Sequence, residues 1–318
     1  MEIHKVACVG AGLIGQGWAA LFSSKGLEVT LHDLTQEILE KSLSQIGSSL
    51  EFLETHNLMK PGDAKAARRL IKTTTDIARA VADADYVQES VPDSYEIKKR
   101  VFQQLDGAAP PQAILASSAS GLLMTEIQKV AIRPERCVLA HPVLPTHLIP
   151  LVEIVGGEYT APETVARTRE LMETIGKTPV VLNREVPGYI VNRLQAALLR
   201  EAIDLVDKGV AGASDVDKAF CMGIGLRDPL MGPFLRMHVA GGSIDRFIEN
   251  YSRSYQFRWE TMETWTSIPS SAANTVIRQV NEMEVVRTKA LEEIKTWRDE
   301  MLVRILNALR EGNGGCNP

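Results

Sequence analysis

The sequence predicts an α/β fold: a doubly wound, mostly parallel sheet followed by an all-α C-terminal domain. Three observations carry that reading. A short β-branched run, KVACVG, leads into Gly10, Gly12 and Gly15 in G-x-G-x-x-G spacing. Short apolar runs then alternate with amphipathic stretches as far as the TPVVL segment. From Pro187-Gly188 onward no further strand–helix–strand pattern occurs, and long helical periodicity takes over.

VACVG is apolar throughout, as a parallel strand buried on both faces requires. Ile14, Trp18 and Leu21 carry the segment after the glycines on as a helix. LEVTLH reads as a second strand closed by Asp33. In a Rossmann-type turn Gly10 permits the tight bend, Gly12 lets backbone approach a pyrophosphate, and Gly15 lets helix pack close to strand. Leu13 and Ile14 complete the turn, and the helix N-terminus supplies N–H groups and a positive dipole end for phosphates. Asp33 lies 18 residues beyond Gly15, placed for ribose hydroxyls. A carboxylate there repels a 2′-phosphate, and His32 and Leu34 offer no arginine for one. The expected cofactor is therefore NAD rather than NADP.

A helix is expected over about 36–57, broken by Pro61-Gly62, then a second helix DAKAARRL and a strand near Ile71–Thr74. This reads as a helical hairpin (about 36–70) inserted before the third strand. Lys60, Lys65, Arg68 and Arg69 cluster at its far end, either as a solvated face or as a contact for a phosphorylated tail such as coenzyme A. Asp85–Val91 is the next strand, ended by Pro92; its loop lies where open α/β sheets bind ligands, with Val91 in it. Asp93 is a candidate N-cap for the helix YEIKKRVFQQLD. Strand AILAS runs into Ser117-Ser118-Ala119-Ser120, small residues that leave room for a ligand and supply hydroxyls.

Strand RCVLA ends at His141-Pro142, and three prolines in PVLPTHLIPLV forbid a helix before strand LIPLVEIV. A helix over Pro162–Ile175 and strand TPVVL complete a six-strand dinucleotide domain with two appended strands. YIVNRLQAALLREAIDLVDKG, apolar at Ile190, Leu194, Leu198 and Leu205, reads as a buried central helix shared with a second subunit. A helix capped by Ser214, with Asp217 in the capping-box position, follows, then helices near 241–257, 270–287 and 288–311. Domain boundaries are set at 1–187 and 188–311, with a disordered tail at 312–318.

At 318 residues the chain can bury a sizeable core, and a net charge of -5 argues against nucleic-acid and anionic-membrane partners. Cys8, Cys137, Cys221 and Cys316 have no paired spacing, which fits a reduced cytoplasmic setting, and no metal is expected. No basic-then-apolar leader and no apolar run of about 20 residues occurs.

Ser120, His141, Glu153 and Asn192 fall where they can meet at the nicotinamide end. If the strands of His141 and Glu153 are neighbours, imidazole and carboxylate face each other. That arrangement suits a base for alcohol oxidation, held by an acid. A glutamate in an apolar strand is costly to bury without such a partner.

GAGLIGQGWA, YVQESVPDSYEIKK, SSASGLL, AHPVLPTHLIPLVEIVGG and VPGYIVNRL resemble the L-3-hydroxyacyl-CoA dehydrogenase superfamily over nearly the full chain. The QESVP loop, GIGLRDPLMGPF and KTWRDEMLVRIL resemble its branch of λ-crystallin/L-gulonate 3-dehydrogenase and L-carnitine dehydrogenase. The resemblance implies His141 as base, Glu153 as its electrostatic partner, and Ser120 and Asn192 as substrate-orienting residues. It places Asp93 and Lys98 near the cofactor ribose, with Ser118 also at the cofactor, and it implies dimers. The chain departs from the family's HPxNP at Leu144, which stands where the asparagine is usual.

Six of the 17 aromatics lie between Phe247 and Trp265. They read either as interface packing or as a wall, with Tyr255 and Trp259, for a quaternary ammonium such as carnitine's. Arg227 is the candidate carboxylate clamp. The expected activity is NAD-dependent oxidation of a small free L-3-hydroxy acid, carnitine- or gulonate-like. The alternatives are oxidation of short acyl-CoA thioesters and a non-catalytic crystallin-like role.

Overall fold

The computed structural model describes residues 3–311, so the 312–318 tail, with Cys316, lies outside the described residues. The chain divides into two units, Met1–Arg193 and Leu194–Pro318.

The first unit is built on an eight-stranded sheet of order β3-β2-β1-β4-β5-β6-β7-β8. The strands are β1 (Lys5–Val9), β2 (Glu28–His32), β3 (Ile71–Thr74), β4 (Tyr86–Glu89), β5 (Ile114–Ser117), β6 (Cys137–Pro142), β7 (Leu151–Gly156) and β8 (Thr178–Val181). Every neighbouring pair is parallel except β6·β7. The reversal between β1 and β4 is the switch point at which such sheets bind ligands.

Alternation along β1 sends its side chains to two cores. Val6 and Cys8 join Trp18 and Phe22 of α1 (Leu13–Ser24), together with residues of the insertion helices α2 (Gln36–Thr55) and α3 (Asp63–Arg69). Ala7 and Val9 join the other face with Phe102 and Leu105 of α5 (Tyr95–Ala108), under α4 (Ile77–Val81) and α6 (Met124–Gln128). α7 (Pro162–Thr174) returns to the first face through Leu171 and Met172. Both faces of the central strands are covered, as in β5 and β6, while the edge strand β8 stays largely exposed. Gly15 is obligatory in this packing, because an added Cβ would lie 1.8 Å from the Gly10 carbonyl oxygen. Gly10 itself has φ +97°, a backbone region that favours glycine.

α8 (Val191–Asp207) runs across the boundary, and the second unit continues with α9 (Ala213–Ala219), a π-helical turn at Phe220–Ile224 and α10 (Pro233–Gly241). α11 (Ile244–Thr261), α12 (Ser270–Glu282), α13 (Glu284–Thr288) and α14 (Leu291–Glu311) complete it.

Several expectations are corrected. α5 opens after Ser94, not Asp93, since the Asp93 carboxylate is taken by Ser120 instead. α9 starts one residue before Ser214, with Gly212 at the cap, and its Ala213 N–H finds Gln279 Oε1 at 2.8 Å. The capping box is therefore unused. α10 is an additional helix, with Pro233 at its first position, where a missing N–H costs nothing. On α8 the apolar side chains of Leu194 and Leu199 are 59% and 54% exposed in the single chain, a face that the expected second subunit would cover.

Candidate active site

The glycine turn and Asp33 are joined directly. Asp33 Oδ2 accepts the Ala11 N–H at 2.7 Å, and Oδ1 accepts the Leu34 N–H at 2.7 Å. The acid thus sits beside the turn it was expected to serve. Gly12 precedes α1, no side chain caps the helix, and a Cβ on Gly12 would meet nothing within 4 Å. Open space beside uncapped N–H groups is what a pyrophosphate needs, so these residues fit NAD. Leu13 is 68% exposed at the mouth of this turn, and Ile14 is partly buried against the core.

At the carboxyl end of β4 a buried ion pair organises the next loop. Lys98 Nζ lies 2.7 Å from Glu89 Oε1 and 3.3 Å from Asp93 Oδ1. Lys98 also donates to the Val91 carbonyl at 3.0 Å, while Glu89 accepts from Val91 N–H at 2.6 Å and Ser117 Oγ at 2.7 Å. Asp93 Oδ2 then accepts from both the backbone N–H of Ser120 at 2.9 Å and its hydroxyl at 2.5 Å. Burial opposes ionisation of Asp93, but the Ser120 hydrogen bonds and the Lys98 charge prevail and hold its carboxyl below the usual range. Ser118 belongs to a second network, accepting from Gln88 Nε2 at 2.7 Å and Trp18 Nε1 at 3.1 Å. Sequence reasoning missed Glu89 and Gln88. Their one signal is polarity inside a strand whose four residues are all buried.

His141 and Glu153 are register partners across the antiparallel pair β6·β7. His141 Nδ1 lies 2.8 Å from Glu153 Oε2, and both side chains are buried. Glu153 Oε1 accepts the N–H groups of Ile190 and Val191 at 2.8 and 3.0 Å, where α8 begins. Burial pushes the Glu153 carboxyl up, but the bonds from His141, Val191 and Ile190 outweigh it and leave the carboxyl below its ordinary range. Asn192, one residue on, donates its amide to the Ser120 carbonyl at 2.7 Å. Ser120, Asn192, His141 and Glu153 are thus linked through the start of α8. A neutral imidazole bound through Nδ1 to an ionised acid carries its proton there and keeps the Nε2 lone pair for a substrate.

Leu144, the departure from the motif noted in the sequence, lies in the loop after β6 and is 51% exposed. In the second unit Arg227 is exposed and its Nε donates to the Gly223 carbonyl at 3.2 Å. Tyr255 and Trp259 are ring neighbours on α11 at 5.4 Å, but the Arg258 guanidinium already lies 4.3 Å from the Tyr255 centroid. One ring face that could receive a cation is therefore occupied by the chain's own.

The family model for the 3-hydroxyacyl-CoA dehydrogenase NAD binding domain matches residues 5–186, and that for its C-terminal domain matches 188–296. The chain is 36% identical to an L-carnitine dehydrogenase of Oceanobacillus iheyensis, covering 97% of this chain and 99% of that one. It is 35% identical to the human lambda-crystallin homolog over 94% of each. Among solved structures, 5-formyl-3-hydroxy-2-methylpyridine 4-carboxylic acid 5-dehydrogenase, described as an NAD+ dependent dismutase, superposes with TM-score 0.84. That pair is 30% identical, covering 97% of this chain and 99% of the other. The chain belongs to the 3-hydroxyacyl-CoA dehydrogenase family, and NAD is its cofactor.

Proposed function

We propose that this NAD-dependent dehydrogenase oxidises the 3-hydroxyl of a small free L-3-hydroxy acid, carnitine- or gulonate-like, to the 3-keto acid. The observation that carries the reading is the His141–Glu153 contact of 2.8 Å at the ligand-binding end of the sheet. His141 Nε2 takes the hydroxyl proton, and the ionised Glu153 stabilises the imidazolium that results. NAD supplies the hydride acceptor for the carbinol carbon. When bound, its phosphates would be held at the turn of Gly10, Gly12, Leu13, Ile14 and Gly15, its adenosine ribose by Asp33, and its nicotinamide half near Val91, Asp93, Lys98 and Ser118. Ser120 and Asn192 orient the substrate. With its proton directed at Asp93, the Ser120 hydroxyl offers its lone pairs to a substrate donor.

End-to-end similarity to L-carnitine dehydrogenases supports a free acid as substrate. Arg227 is proposed as the carboxylate clamp, and Trp259 with Tyr255, one of whose ring faces Arg258 already covers, as the wall for a quaternary ammonium. The second reading, a short acyl-CoA thioester, draws on the exposed Lys60, Lys65 and Arg69 of the inserted hairpin. Purified protein with NAD is offered L-carnitine, L-gulonate, L-3-hydroxybutyrate and its CoA thioester, and NADH absorbance is followed. Turnover of a free acid that survives charge reversal at those three cations supports the first reading. Turnover of the thioester alone, lost on charge reversal, replaces it with the second.

We further propose an NAD-binding domain over 1–187 and a substrate and dimerisation domain over 188–311. Homodimerisation through the helical domain would cover the exposed apolar side chains of Leu194, Leu198 and Leu199. A monomer mass by light scattering rejects the dimer. No helix among the described residues is long and apolar enough to cross a membrane. A cytoplasmic setting is proposed on the unpaired Cys8, Cys137 and Cys221.

A further inference from the structure

Lys177 stands just before β8 and is only 7% exposed. Its ammonium donates to the carbonyl oxygens of Thr146 and Ile149, the second at 2.6 Å, and lies 5.5 Å from the Trp18 ring centroid. Burial pulls its pKa down to about 7. A buried cation without a counter-ion costs stability, and an apolar side chain of similar length would fill the same space at less cost. What lysine adds is direction.

Both hydrogen bonds fall on one segment, the turn between Pro142 and Leu151 that joins β6 to β7. Within it, Leu148 and Ile149 both donate to the Pro145 carbonyl, at 3.0 and 2.9 Å. This turn closes the antiparallel pair that sets His141 opposite Glu153. A one-residue slip would send one of the two side chains to the other face of the sheet. α1 presses on the same turn, since a Cβ on Gly17 would lie 2.7 Å from Thr146 Cβ. Trp18, beneath the ammonium, donates to Ser118 Oγ, two residues before Ser120. The Lys177 ammonium therefore meets the hairpin turn and the Trp18 ring of the glycine helix, and Trp18 in turn reaches Ser118 after β5.

We propose that Lys177 is a positioning residue for the reaction: by holding the Thr146–Ile149 turn, it fixes His141 against Glu153. The inference rests on the reading of His141 as base.

The test compares the full-length parent, Lys177→Met and His141→Gln with NAD. Three quantities are read: kcat and KM, the NAD Kd by fluorescence, and the downfield proton resonance of His141 Nδ1. That resonance is assigned by its absence in His141→Gln. Lys177→Met is expected to lower kcat by about ten- to a hundredfold, the scale of a small misplacement of a reacting group, with KM and NAD affinity retained. The Nδ1 resonance should shift or broaden. Parental kcat together with an unmoved resonance overturns the proposal. Should Lys177→Met not fold, Gly17→Ala displaces the same turn from the α1 side with Lys177 intact. Parental kcat and resonance in that variant likewise overturn the proposal. Turnover in His141→Gln defeats the reading of the base, whereas a dead His141→Gln beside an unimpaired Lys177→Met defeats this inference alone.

Discussion

Glu153 divides its carboxylate between two partners: Oε2 meets His141 Nδ1 at 2.8 Å, and Oε1 takes the N–H groups of Ile190 and Val191. One acid therefore orients the imidazole and anchors the first turn of α8, whose Asn192 reaches Ser120. The two jobs separate by mutation. Glu153→Gln keeps a carbonyl oxygen for one set of donors but loses the charge that steadies an imidazolium. It should lower kcat by about 10²–10⁴-fold, the usual range for acid–base assistance, with NAD affinity retained. His141→Gln should lose at least as much. Steady-state kinetics beside NAD titration check both, and parental turnover in either removes His141 as base.

The same carboxyl makes stability depend on acid. Its pKa is lower in the fold than in the open chain, where it sits near 4.5. Its contribution is complete above the unfolded value and disappears as pH falls through the lower folded value. Asp93 behaves in the same way, against an ordinary value of 3.8. In Glu153→Gln the acid limb of a melting-temperature profile should be shallower than in the parent below about pH 4.5. An identical limb would mean the carboxyl is not held ionised.

Gly12 and Gly15 make opposite predictions from one turn. A Cβ on Gly15 would collide with the Gly10 carbonyl at 1.8 Å, so Gly15→Ala should misfold or melt early. A Cβ on Gly12 meets no protein atom within 4 Å, so Gly12→Ala should melt as the parent does. The space it fills is the space a pyrophosphate needs, and NAD affinity should fall by about tenfold or more. Calorimetry paired with fluorescence titration of NAD separates the two outcomes. Parental NAD affinity in Gly12→Ala would move the phosphate site elsewhere.

Asp33 has two oxygens already engaged by Ala11 and Leu34 N–H groups, which aims the side chain before a ribose arrives. Asp33→Asn keeps one acceptor but removes the charge that repels a 2′-phosphate. A lost charge-assisted hydrogen bond of about 1.5–3 kcal/mol weakens NAD by roughly ten- to a hundredfold. NADP binding should improve relative to NAD. Kd values for both dinucleotides test this, and an unchanged ratio would deny Asp33 its role in selection.

Local signals made the glycine turn, Asp33 and the strand–helix alternation legible, because strand, turn, helix and acid are consecutive in the chain. His141 and Glu153 are legible as a pair only if their strands are neighbours, which the β6·β7 register realises. Glu89 and Lys98 were harder. Nine residues apart, they meet because α5 folds back over the end of β4, a tertiary event without a short-range pattern. Asp93 looked like a helix cap, and Ser120, 27 positions away, outcompeted the helix for it. Lys177 gave no sign at all: a lysine between a helix and a strand reads as solvent-exposed until a turn from elsewhere covers it. In the second unit helix types were readable, but which faces stay open was not, since periodicity marks an apolar stripe and not its partner.

Lys177 offers a prediction on stability that is independent of turnover. Its pKa is about 7 in the fold against 10.5 for a free lysine, so the fold disfavours its protonated form. In the open chain the amine stays protonated up to its ordinary value. Unfolding therefore takes up a proton between those two pH values, and stability rises with pH across that window. Below about pH 7 the native chain carries the whole penalty, on the order of a few kcal/mol, and above about 10.5 it carries none. Lys177→Met has no such dependence. The melting temperature of Lys177→Met minus that of the parent should therefore be most positive near pH 6 and decline steadily toward pH 10. A difference that stays flat across that range would mean the ammonium is not desolvated where it sits. The turn it holds would then owe nothing to a buried charge.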